Sequence, residues 1–501
     1  GPAPWVWKQV VMTTGSHHMQ VYWVEGDDDR KLHAFPFSFL RGEAAQPGRW
    51  VPNETTLLRP PVEDGVYTWN YVCIKCHAVA GAPRIEDGAV AGSDGARADT
   101  QVAELGIACE ACHGPGQEHV RRHQNPITRY AKHMSEGPDP TIVHPGKLDA
   151  ARSSAVCGQC HAITRFADEL GWHDGGSTFA PGEPLAPVIR VVRHPLNEVQ
   201  TWLDEEVAED PDFFVKRFWP DGMVRISGRE YNGLIESPCA SGGEFSCLSC
   251  HSMHQGPPDD QLDPKIDADT SCLQCHGSMA QEIAAHTHHE AESSGSMCIN
   301  CHMPHTSYGL LKAIRSHQID SPNLAASLPS GRPGACNLCH LDRTLEWTGD
   351  WLHRWYGQEL PDLEPDEREI AAGILWLLRG DAGVRALVAW HFSWAPAVAI
   401  SGNDWMAPFL KVALVDEYVA VRHIAGKSLA KLPDVGKIDY DALADTPRLE
   451  AVAEQVASTW SNHPTERCVP EFLLTDTCDL DSPAVDRILG ERPGYPVILE
   501  E

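Results

Sequence analysis

Hydrophobic and polar positions alternate at Val21–Val24 and again at Leu32–Phe39, on either side of the polar run Asp27–Asp29. A period of two marks a half-buried strand, so the pattern predicts short strands or a hairpin there. Trp5, Trp7, Tyr22, Trp23, Trp50, Trp69 and Tyr71 give residues 1–72 enough aromatic surface to pack rather than dangle. From 73 to 343 the periodicity fades into short stretches rich in Gly, Pro and polar residues. One interruption is DFFVKRFWPDGMVRISGREYNG at 212–233, preceded by the acidic run Asp204–Asp212; Pro220-Asp221-Gly222 predicts a turn between two extended runs. Beyond 343, Ala, Leu and Val recur at three and four in TLEWTGDWLHRWY, DEREIAAGILWLLRG, AGVRALVAWHF, WMAPFLKVALVD and YVAVRHIAGKSLAKLP, with Gly and Pro as punctuation. These are helices, resembling the paired units of a HEAT-like solenoid.

The expected fold is mainly α with much irregular structure. An N-terminal segment at 1–72 packs on a core at 73–343, which carries an insertion at about 175–240. A helical repeat-like domain at 344–460 and a tail at 461–501 follow. The most apolar helical stretch, AAGILWLL at 371–378, is half the length a bilayer needs, so no transmembrane segment is expected. GPAPWVWK at the start carries no basic-then-apolar leader.

Seventeen cysteines in 501 residues are more than a chain of this length needs for stability. Fourteen of them fall into seven copies of Cys-x-x-Cys-His: Cys73, Cys76 and His77; Cys109, Cys112 and His113; Cys157, Cys160 and His161; Cys247, Cys250 and His251; Cys272, Cys275 and His276; Cys298, Cys301 and His302; and Cys336, Cys339 and His340. Two thiols three apart lie on one helical turn and reach the two vinyl groups of one haem, while the adjacent His meets the iron. A zinc site leaves that invariable His without a role. A redox dithiol needs one motif, not seven. Seven covalently attached haems c are therefore expected, lying close together, and their plates supply the core that the side chains lack. Thioether attachment of haem places the mature chain in the periplasm or at the extracellular side. Cys239 is followed by no His and marks no eighth site. Cys468 and Cys478, ten apart, suggest a disulfide pinning the tail.

Nineteen further histidines are available as distal ligands. His119 follows a Gly-Pro-Gly turn that throws it away from its own motif. His254 is too close to His251 to cross its own haem and suits another. His286 and His289 precede the sixth motif, and His317, in the helical-looking LLKAIRSHQI, follows it. His18 would strap the N-terminal segment onto the haem core. His173 completes the set as its weakest member, with His17, His33, His123, His133, His144, His194 and His305 in reserve. His353, His391, His423 and His463 read as surface or packing residues.

The blocks CEACHGPGQEH, CLSCHSMH, HTHHEAESSGSMCINCHMP and RPGACNLCHLD resemble multihaem cytochromes c related to the hydroxylamine oxidoreductase and pentahaem nitrite reductase superfamily. The resemblance covers about 11–345 well and 346–460 loosely. It implies distal histidines at His18, His119, His254, His286, His289 and His317, and closely packed haem pairs. It carries no activity with it: there is no Cys-x-x-Cys-Lys, and neither Tyr231 nor Tyr308 is marked by spacing as a cross-linking tyrosine. The favoured expectation is electron transfer between redox partner proteins, membrane-bound or other cytochromes, through mostly bis-His haems. The alternative is an oxidoreductase acting on a small nitrogen or sulfur compound, such as nitrite or hydroxylamine, at one five-coordinate haem. A filament-forming or homo-oligomeric role is a third. A net charge of −30 excludes nucleic acid as a natural partner and favours partners with positive rims. The 344–460 region, which has no Cys, is expected to be a docking platform rather than a redox site.

Overall fold

A computed structural model describes residues 6–15, 18–26, 30–42, 48–56, 68–86, 97–135, 137–266, 268–433, 435–462, 465, 467–494 and 496–499. Asp27–Asp29, His17 and His463 lie outside them. The chain forms two compact units. The first comprises Gly1–Asn53, Val62–Arg193 and Arg229–Asp267, and the second Glu54–Pro61, His194–Gly228 and Ala268–Glu501. Motifs one to four belong to the first, and motifs five to seven to the second.

In the first unit the alternating stretches become β2 (Met19–Glu25), β3 (Leu32–Ala34) and β4 (Phe37–Leu40), to which the structure adds β1 (Val10–Thr14) and β5 (Arg49–Pro52), not foreseen from the pattern. They form an antiparallel sheet in the order β1-β2-β4-β5, with β3 also on β2. Trp23 of β2 sits opposite Met12 and Ala34. It is buried with Trp69, Ile74 and Trp172. Because Ile74 lies inside the first motif, the sheet covers the first attachment site with apolar surface. Four helices follow: α1 (Cys109–His113), which is the second motif, α2 (Gln117–His123), α3 (Pro126–His133) and α4 (Ala150–Gly158), which leads into the third motif at Cys157. Asn125 caps α3, with Pro126 at its first position, and Asp149 caps α4. Gly114 ends α1 at φ 72°, a conformation only glycine adopts freely, and sends the chain off toward α2.

The second unit is mostly helical. Its largest helices are Leu345–Tyr356, Ala372–Arg379, Ala382–His391, Val419–Leu429 and Thr446–Ser461. These do not stand apart from the last motif. Leu324, Leu345, Leu352 and Ala372 are buried together against Cys336. The Ser401 hydroxyl donates to the Cys339 carbonyl (2.8 Å) and accepts from the Leu341 N–H (3.0 Å). Cys468 and Cys478 form a disulfide with Cα atoms 4.9 Å apart.

Two local expectations are corrected. LLKAIRSHQI is not helical. Lys312–Arg315 is a strand paired with His305–Gly309, joined by Leu310 and Leu311 at φ 51° and 56°. A tight hairpin demands that backbone twist, and the pairing with a fully buried strand overrides the local preference of Leu. The run before Pro220 is a series of turns rather than extended chain, because Phe213 folds back into the core. The turn itself is present, with Gly222 at φ 87° and the Trp219 N–H donating to Met223 (2.7 Å). Among the described residues, no helix is long and apolar enough to cross a membrane.

Candidate functional site

Each motif is a single helical turn. Within motifs one, three, four, five and seven, the N–H of the His donates to the carbonyl of the first Cys at 2.8–3.0 Å. The second and sixth motifs are the short helices Cys109–His113 and Cys298–His302. This turn puts both thiols on one side, as attachment to two vinyl groups requires. The turns are tied down from outside. The Cys247 N–H donates to Ser154 (3.3 Å), the Cys298 N–H donates to Asp269 (2.8 Å), and the Gln159 side chain donates to Ala111 (2.9 Å).

Motifs distant in sequence meet within each unit. Cys76 and Cys160 are hydrogen-bonded neighbours, and so are Cys157 and Cys247. The third motif thus touches the first and the fourth. In the second unit Cys298 lies against Cys272, and Cys301 beside Cys336 and Cys339. Burial pushes the Cys73, Cys336 and Cys339 thiols up to about 12 and raises Cys112 as well, so as free side chains they are neutral.

Cys250 and Cys275, the second cysteines of the fourth and fifth motifs, depart from the expected tight core. Each keeps its motif turn, donating its N–H to the first Cys of its own pair at 3.2 Å, and the Cys250 carbonyl accepts from the Asp263 N–H (2.9 Å). The meetings between motifs run through Cys247 and Cys272 instead, on the other ends of those turns. Cys250 is half-buried like most of the motif cysteines, whereas Cys275, like Cys109, is exposed. The reason lies in the chain that follows. The turn Gly277–Gln281 after the fifth motif buries none of its residues, so it offers no apolar lid for Cys275. The fifth motif is therefore more open toward solvent at Cys275 than the first and seventh, whose cysteines are half-buried.

The histidines provide the test of whether a haem iron fits. His113 of the second motif faces His254, ring centres 5.9 Å apart. His302 of the sixth faces His286 at 6.1 Å, the planes within 5° of parallel. His340 of the seventh faces His289 at 6.1 Å. A metal–imidazole bond is about 2 Å, and the ring centre lies about 1 Å further, so two imidazoles on opposite sides of one metal have centres about 6 Å apart. All three pairs show that spacing, and each joins a motif His to a non-motif His.

The ring nitrogens agree. Nδ1 of His113 donates to the Val143 carbonyl (2.7 Å), that of His302 to Asp320 (2.9 Å), that of His289 to Thr287 (2.6 Å) and that of His251 to Asp260 (3.0 Å). A carbonyl can only accept, so the proton is on Nδ1 and the Nε2 lone pair is left for a metal. His288, left-handed at φ 57°, ends helix Ile283–Thr287 and directs His286 and His289 to different motifs.

The remaining sequence candidates are placed differently. His173 is buried with both nitrogens engaged: Nδ1 with Asp174 (2.9 Å), and Nε2 accepting from the Ile85 N–H (3.0 Å). His119 lies beside His123 and Asp139. Nδ1 of His317 donates to the Arg315 carbonyl (3.2 Å) just past the hairpin strand. The backbone carbonyl of His18 accepts from Arg41 (2.9 Å) at the entry to β2. Cys239 is half-buried in a turn. Three residues escaped sequence reasoning. Glu230 accepts from Nδ1 of His161 (2.8 Å), and Asp139 meets two histidines. Arg315, half-buried beside Cys301 and Cys339, donates to Ile299, Met303 and Asn300. No local spacing marks any of them.

Residues 237–281, spanning the fourth and fifth motifs, match the family model described as the doubled CXXCH motif. The paired motif indicates a multihaem c-type cytochrome. The comparisons with curated proteins and with solved structures each return no match. The motifs imply covalently bound haem c.

Proposed function

We propose that this cytochrome carries seven haems c and passes electrons between redox partners outside the cytoplasmic membrane, with no substrate of its own. The observation that carries the reading is the set of three facing histidine pairs at 5.9–6.1 Å. An iron held by two imidazoles is saturated and exchanges electrons without binding a small ligand. The attachment cysteines of the seven motifs, Cys250 and Cys275 included, would hold the haems, and His77, His113, His161, His251, His276, His302 and His340 would be their proximal ligands. His254, His286 and His289 would be distal ligands of the second, sixth and seventh, with His18 and His317 available to others. When bound, haem supplies one-electron chemistry. The chain contributes the rest: Nδ1 hydrogen bonds orient the rings, and the meeting of motifs three with one and four, and of six with five and seven, keeps neighbouring sites adjacent. The exposed Cys275 edge of the fifth site would be a point where electrons enter or leave.

The test is electron paramagnetic resonance of the oxidised protein with a haem count per chain. Seven haems by pyridine haemochrome and only low-spin ferric signals are expected. His254→Ala, His286→Ala and His289→Ala should each convert one haem to high spin. Five or fewer haems would overturn the number. A high-spin signal in the unaltered protein that shifts on adding nitrite or hydroxylamine would replace the wire with an enzyme.

A further inference from the structure

Outside the facing pairs, one more cluster of metal-ligating side chains stands in the first unit. Helix α2 places His119 and His123 one turn apart on the same face, ring centres 4.6 Å apart. The chain runs on through α3 and returns Asp139 to the same spot. Its Oδ2 lies 2.5 Å from Nε2 of His123 and 3.4 Å from Nδ1 of His119. Its other oxygen, Oδ1, is occupied by Thr141, which donates to it from the hydroxyl (2.6 Å) and the backbone N–H (2.9 Å). The carboxylate is thus anchored on one side and turned with the other toward two imidazoles. Outer hydrogen bonds of this kind orient the carboxylate ligands of metal sites.

The three ligand atoms lie within 4.8 Å of one another. A tetrahedral ion with bonds of about 2 Å keeps its ligand atoms about 3.3 Å apart. His119 and Asp139 already stand at that separation, and His123 would give up its short hydrogen bond to the carboxylate for a bond to the ion. Two imidazoles and one carboxylate suit zinc, copper or nickel, whereas calcium and magnesium prefer oxygen throughout. His119 is 35% exposed, which leaves an entry path. The acidic chain draws cations to it.

We propose that His119, His123 and Asp139 bind one divalent transition-metal ion, separate from the haem irons, with a remaining position open to water. The ion would staple α2 to the segment that follows α3. This role and a haem-ligand role for His119 exclude each other, and one experiment separates them. The holoprotein is stripped of loose metal with a chelator and titrated with zinc by calorimetry. It should bind one zinc more than His123→Ala, and Asp139→Asn should hold that zinc at least about tenfold more weakly. The haem spectrum should be unchanged in all three. Equal zinc stoichiometry in the unaltered protein and His123→Ala overturns the proposal. So does a low-spin haem turning high-spin in His119→Ala, because the ring would then belong to an iron. Haem content measured on the same samples reports on the seven-haem reading independently of the zinc count.

Discussion

Arg225 and Asp381 show what one buried pair does for the second unit. Their side chains are 5% and 9% exposed, and the guanidinium donates to both carboxylate oxygens while Asp381 also caps helix Ala382–His391. Burial opposes the charge on Asp381, but the Arg225 guanidinium holds its carboxyl below the usual range. Removing one partner leaves an uncompensated buried charge, so Arg225→Met should cost about 3–5 kcal/mol, read from the denaturant midpoint. A second residue-scale prediction concerns Glu230. Where the rings of His113, His251 and His302 donate Nδ1 to carbonyls, His161 donates to a carboxylate, and as an iron ligand its imidazole would then be a stronger electron donor and would favour ferric iron. Glu230→Gln should therefore raise the reduction potential of one haem in a spectroelectrochemical titration, and an unchanged set of potentials would refute this. At this scale the sequence was legible where covalent chemistry dictates spacing: Cys157, Cys160 and His161 announce themselves. Glu230 does not, because it reaches His161 only through tertiary folding, 69 residues on. The exposure of Cys275 was equally hidden, since its motif is spelled like that of the half-buried Cys339.

At the scale of elements, helix Ala382–His391 and the hairpin at 305–315 enclose a pair of buried histidines. Nδ1 of His391 donates to the Leu387 carbonyl (2.7 Å), so its Nε2 accepts from Nδ1 of His305 (3.2 Å), with Trp390 and Trp394 alongside. Burial pushes His391 down to about 4 and His305 well below its ordinary value. Both are neutral in the folded chain, whereas an unfolded His titrates near about 6.5. Between those values the unfolded state binds more protons. Stability is thus complete above about pH 6.5 and is lost as pH falls toward 4. His391→Leu should flatten that slope in unfolding followed by circular dichroism. The helices of 344–460 were legible from their period and their Gly and Pro stops. The hairpin was not, because Leu310 and Leu311 take a left-handed backbone that nothing in a Leu-Leu pair foretells. Nor could spacing show that Ser401 would grip the seventh motif. Deleting 344–460 should accordingly cost the seventh haem, measured as haem per chain, and a full complement in the deletion would show that the helices are dispensable to it.

For the whole molecule, the net charge of −30 governs encounters. Electron exchange with a basic redox partner should slow steeply as salt rises through the range where the screening length falls below about 10 Å, a stopped-flow measurement. Acidity was plain from composition, but the division into units was not. The first unit draws on Arg229–Asp267 and the second takes back His194–Gly228, a crossing of the chain that no local pattern records. That crossing sets a timetable for biogenesis. As the polypeptide emerges from its N-terminus, the first unit lacks a component until residue 267 has appeared, and Cys247 cannot reach Cys157 before then. Until then the first three motifs lack part of their folded surroundings, and both thiols of each turn would be open to haem attachment during an interval set by the order of the sequence.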